Sequence, residues 1–111
     1  MDEKSYDIVK RIQAAISPWK ENITEKRMFG GHCFFYNGKM CVGETKHRLM
    51  VRVLSDRMDL VLSKEDVHPM DFTGKPMKEF IFVSEAGYDT EEKLQQWVEL
   101  GIEHAKSKTE N

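Results

Sequence analysis

CFFYNGKMCV, residues 33–42, places two apolar runs on either side of Asn37-Gly38. Both turn residues tolerate the positive φ that a two-residue reversal requires, so the stretch predicts a β-hairpin. With the turn at those two residues, Tyr36 faces Lys39, Phe35 faces Met40, Phe34 faces Cys41 and Cys33 faces Val42. Side chains alternate along a strand, so Cys33, Phe35, Met40 and Val42 share one face, an apolar set suited to a core. Phe34, Tyr36, Lys39 and Cys41 share the other. The two cysteines therefore point to opposite sides of the sheet and are not expected to bond to each other.

Working outward, RLMVRVL (residues 48–54) alternates Leu49, Val51 and Val53 with Arg48, Met50 and Arg52 and predicts a further strand. A tight turn at Lys46-His47 sets Val51 beside Val42 and Arg52 beside Cys41. MDLVLS (residues 58–63) is short and apolar enough for a strand, but Ser55 or Asp56 can cap a helix running toward Lys64, and the short helix is the preferred reading. A turn is expected at Thr73-Gly74, followed by a central strand with Phe80 and Phe82 on one side and Ile81 and Val83 on the other. At the N-terminal end, Tyr6, Val9, Ile12, Ile16 and Trp19, widened by Ile8 and Ala15, follow the helical period. Pro18 stops that helix or starts one further short turn. At the other end, Asp89 or Thr90 precedes Glu91 and Glu92 as a cap, and Leu94, Trp97, Val98, Gly101, Ile102 and Ala105 line one helix face. The expected fold class is α+β: an antiparallel β-sheet, a β-meander, packed against N- and C-terminal α-helices as a two-layer sandwich.

A length of 111 residues suits one domain spanning residues 1–111. Hydrophobic residues at 40% against 32% charged place the chain among globular proteins and away from disorder. Its apolar runs are too short to span a bilayer and no basic-then-apolar leader opens the chain, so a cytoplasmic location without membrane contact is expected. Two cysteines without paired spacing read as reduced thiols. A formal net charge of −2 confines any nucleic-acid contact to a local patch.

Gly30-Gly31 leads into a strand, not a helix N-terminus, so it is read as a tight connection needing positive φ or close backbone approach and not as a phosphate cradle. A nucleophilic thiol needs a cation or histidine beside it. The expected pairing of Arg52 with Cys41 makes Cys41 the candidate for a thiol-dependent enzyme or redox sensor, although no positioned base accompanies it. The histidines and cysteines lack the paired spacing of a metal site. No acid–base pair stands out among the carboxylates, so no catalytic residue, metal or cofactor is nominated. The candidate interaction surface is the sheet face with Phe34, Tyr36, Lys39, Arg48, Met50 and Arg52, where rings and cations mix. Such a face suits single-stranded nucleic acid if uncovered, or a protein contact.

KRMFGGHCFFYNGKMCVG (residues 26–43) resembles the opening of the TfoX N-terminal domain, with Arg27, Met28, Phe29, Gly30 and Gly31 as its fold-defining motif. HPMDFTGKPMKEFIFVSEAG (residues 68–87) and KLQQWVELGIEHA (residues 93–105) are similar to the family's second half in the same order. His32 and Cys33 stand where the family pattern has an aromatic and a small residue. The likeness covers nearly the whole chain and implies a stand-alone version without the C-terminal domain of the longer competence regulators. What it implies of function is regulatory: a non-enzymatic domain with a protein partner, such as transcription machinery including a cyclic-AMP-dependent activator. A monomer or weak homodimer is expected.

Overall fold

The computed structural model describes residues 2–28, 30–70 and 78–109. These form α1 (Glu3–Ala15), β1 (Ile23–Met28), β2 (Gly31–Tyr36), β3 (Lys39–Thr45), β4 (Arg48–Arg52), α2 (Ser55–Leu62), β5 (Val67–Pro69), β6 (Phe80–Val83) and α3 (Glu91–Thr109), with 3-10 segments at Ser17–Asn22 and Glu85–Tyr88. The strands make one antiparallel sheet in the order β1-β2-β3-β4-β6-β5. Helices α1 and α3 pack on the same face of it, so the expected α+β architecture is present.

Local chemistry accounts for most of these elements. In α1, Ile8, Val9 and Ile12 are buried at helical spacing, and the Asp2 carboxylate caps the helix by accepting from the Ser5 amide at 2.8 Å. Tyr6, which spacing assigns to the buried stripe, is instead 49% exposed. Pro18 opens the 3-10 segment, the extra short turn allowed for by the sequence. Thr90 Oγ1 accepts from the Lys93 amide at 3.2 Å and starts α3. The expected helix α2 forms, but its cap position is Leu54 and no side chain caps it; the Ser55 hydroxyl is turned to Glu79 instead.

The hairpin turns where expected, with φ of 48° at Asn37 and 84° at Gly38. Its register departs from the expectation one step further out. Tyr36 faces Lys39 and Phe35 faces Met40, but Phe34 faces Val42 and Cys33 faces Gly43. Cys41 is the extra residue of a β-bulge, two residues opposing one, and the bulge reverses the parity of β3 beyond it. Val42 consequently joins Phe34 and Cys41 on the helix-covered face, in one core with Leu49, Val51 and Ile81. Met50 joins Cys33, Phe35, Met40, Met70, Phe80 and Phe82 in a second buried cluster. Both sheet faces are thus apolar, and the helices chose the one bearing Phe34. The cysteines lie in different clusters, as expected.

Two strands went unexpected. In β1 five of six residues are exposed, and Glu25, Lys26 and Arg27 give it the charged character of a protected edge. β5 is three residues long and ends at Pro69, which occupies the other edge. The turn expected at Thr73-Gly74 lies outside the described residues.

Candidate functional site

The six residues nominated as an interaction surface are not brought together. Phe34 is fully buried beneath the helices. Tyr36 packs half-buried against the same core with the Lys106 ammonium 6.0 Å from its ring centre. Lys39 is exposed at the hairpin. Met50 is buried in the opposite cluster, where the Arg48 guanidinium lies 3.8 Å from the Phe82 ring centre and that of Arg52 lies 4.2 Å from that of Phe80. These cations stack on rings instead of offering a continuous platform. The bulge is the cause, because it moves the β4 arginines to the face opposite Phe34.

The thiols are equally enclosed. Burial pushes Cys41 up to about 12, with its Sγ–H donating to the Phe34 carbonyl at 3.3 Å. Burial also pushes Cys33 up to about 11. The Arg52 guanidinium, expected beside Cys41, is directed to Glu79 and His104. A thiolate is the reactive form, and neither site favours one. Native protein at pH 8 should therefore leave both thiols unmodified by an aromatic disulfide reagent, and modification should proceed at the rate of unfolding. Fast stoichiometric release of the reagent's chromophore from native protein would show this burial to be wrong.

The motif region builds a cavity. Gly30 adopts φ of 71° between β1 and β2, and Gly31 runs so close to β3 that a Cβ on it would lie 1.9 Å from the Glu44 carbonyl oxygen. Both needs anticipated for the glycine pair are met. Around them lies a cavity of about 210 Å³ lined by Asp2, Ser5, Arg27, Gly30, Gly31, His32, Glu44 and Lys46. Three segments distant in sequence meet here: the start of α1, the β1–β2 connection and the β3–β4 turn. Arg27 and the two glycines of the motif belong to the wall, Met28 is 41% exposed at the end of β1, and Phe29 lies outside the described residues. Glu44 is only 2% exposed, and its Oε2 accepts from the Ser5 hydroxyl at 2.6 Å and the His47 amide at 2.9 Å. Sequence inspection passed over Glu44 as one of many carboxylates. A signal existed, since it shares parity with Val42 and pairs with buried Leu49, an inward position for a charged side chain.

A second polar group ties the far end of α3 to the sheet. Glu79, at φ of 61°, takes the Ser55 hydroxyl at 2.8 Å on Oε2 and His104 Nε2 at 3.1 Å on Oε1, with Lys108 Nζ at 3.6 Å. Hydrogen bonds from Ser55, then from His104, hold the Glu79 carboxyl at about 2, below its ordinary 4.5. Burial, only partly offset by Glu79, holds His104 below its ordinary 6.5. Each group binds a proton more weakly folded than unfolded. Their stabilisation is therefore complete above about pH 6.5, declines first as unfolded His104 protonates, and is lost further as pH falls from 4.5 toward 2. Solvent screens the exposed side of this group, so Glu79→Gln should cost about 1–2 kcal/mol at neutral pH. Urea midpoints of wild type and variant should draw together as pH falls from 4.5 toward 2. A gap that is constant across this range would remove Glu79 as the linked group.

A groove separates α2 and β5 from α3. Val61, Val67, Trp97 and Leu100 form its apolar floor and Lys64, Asp66, Lys93 and Gln96 line it as polar residues around about 330 Å³. The Trp97 indole N–H donates to the Gly87 carbonyl at 2.9 Å and fixes the ring there. On α2, Leu60, next in sequence to Val61, is 67% exposed. No helix among the described residues is long and apolar enough to cross a membrane. None of the curated proteins compared matches the chain. The model of the TfoX N-terminal domain family matches residues 14–105, and the chain belongs to that family.

Proposed function

We propose, taking membership of the TfoX N-terminal domain family as the premise, that this chain is a small non-enzymatic regulatory domain that acts by binding a protein of the transcription machinery. The observation that carries this is the α2–α3 groove, with its apolar floor of Val61, Val67, Trp97 and Leu100, together with the exposed Leu60 that precedes Val61 on α2. An apolar floor with a polar rim is the anatomy of a protein contact. Base stacking draws little support, since its central ring, Phe34, is packed under the helices. A thiol mechanism draws little as well, with Cys41 buried and its thiol held protonated.

The test is titration of isotope-labelled protein with purified RNA polymerase and with a cyclic-AMP-dependent activator. Binding to one of them should perturb the amides of Leu60, Val61, Lys64 and Leu100. Leu60→Glu should weaken it about tenfold or more, because a leucine is lost from the contact and a charge is desolvated. The apolar contact should also vary little with salt. Absence of binding to both would remove the proposed role. Tight binding of single-stranded oligonucleotide, falling steeply as salt rises, would replace it with the nucleic-acid alternative.

A further inference from the structure

We infer that the cavity at Gly30-Gly31 binds a small zwitterion, with its ammonium group at Glu44 and its anionic group toward Arg27 and Lys46. This site is separate from the α2–α3 groove and does not rest on the protein contact proposed there. Its basis is an imbalance in how the wall satisfies its own charges. Glu44 is 2% exposed, and its Oε1 is not one of the fully buried side-chain atoms left without a partner, so that oxygen is reached from the cavity. Both hydrogen bonds to Glu44, from Ser5 and from the His47 amide, fall on Oε2. Oε1 accepts none from a described residue, while the side chain lines the cavity. The other acid of the wall, Asp2, is already taken by the Ser5 amide and the His47 ring.

On the rim, neither Arg27 nor Lys46 has an ion-pair partner among the described residues, although both line the same cavity. A simple cation would meet the field of Arg27 and Lys46, and a simple anion would meet that of Glu44 and Asp2. A molecule carrying an N–H cation at one end and a carboxylate at the other satisfies both ends. The volume of about 210 Å³ leaves room for a small organic molecule.

The test titrates isotope-labelled protein with L-serine, ethylamine and acetate separately, following the amides of Gly30, Gly31, Glu44 and Lys46. L-serine is expected to produce saturating shifts there at about millimolar concentration. Ethylamine and acetate, each holding one of the two charges, should bind at least about tenfold more weakly. Glu44→Gln should weaken L-serine binding by a similar factor. Because Glu44 is buried and its replacement can disturb folding, Arg27→Gln on the exposed face of β1 provides a second variant, expected to weaken binding with an unchanged urea midpoint. The inference is overturned by three results: no saturable shift up to about 50 mM L-serine, ethylamine or acetate binding as tightly as L-serine, or undiminished L-serine binding in both variants.

Discussion

Replacing Gly31 with alanine is expected to lower stability by about 3 kcal/mol or more, read as a fall in urea midpoint at unchanged slope. The added Cβ would lie 1.9 Å from the Glu44 carbonyl oxygen and 2.8 Å from Thr45 Cβ. Both neighbours belong to β3, whose backbone is held in the ladder to β2 and β4, so the clash cannot be relieved by turning a side chain. The strands must separate or the pairing must break. Gly38 supplies the control. At φ of 84° it too sits where L-residues are strained, yet nothing lies within 4 Å of its Cβ position. Gly38→Ala should cost only about 1 kcal/mol, the strain alone. Equal midpoints for the two variants would show that close approach at Gly31 is not what the glycine provides.

Phe34→Ala is expected to cost about 3–5 kcal/mol, the range for deleting a buried aromatic ring and leaving a cavity. Phe34 is fully buried against the bulge residue Cys41 and Val42, in the core closed by α1 and α3. The same substitution on an open stacking platform would instead spare stability and weaken oligonucleotide binding. Measuring both quantities on one variant separates these cases. A midpoint shift below about 1 kcal/mol accompanied by lost binding to single-stranded DNA would return Phe34 to the surface.

Much of the fold is legible from short-range chemistry. Asn37-Gly38 marks the hairpin because few residue pairs accept positive φ at both positions. The terminal helices are marked by apolar residues at steps of three and four, and β6 by apolar residues on both of its faces. β1 and β5 are not legible for a physical reason: an edge strand exposes most of its side chains, so it lacks the apolar alternation that signals burial. The candidate sites are less legible still. Arg27, Gly30 and Gly31 stand out in the sequence as a motif. Their cavity needs Glu44, Lys46, Asp2 and Ser5 as well, which arrive from other elements.

A single extra residue explains the largest departure. Without the bulge, Cys41 would oppose Phe34, and Arg48, Met50 and Arg52 would share the face of Phe34 and Tyr36. With it, parity reverses and those residues separate across the sheet. Nothing in the alternation of residues 39–45 announces this, because Met40, Cys41 and Val42 are all apolar and fit either face.

The linear order of residues, through local backbone preference and hydrophobic period, determined by itself the helices and the inner strands of this protein, the hairpin turn, the separation of its two thiols and its family. Tertiary structure decided which sheet face the helices cover, where β3 bulges, and that a carboxylate, two glycines and two cations far apart in the chain enclose one cavity. Those outcomes depend on packing free energy summed over distant segments, and no local preference carries that sum.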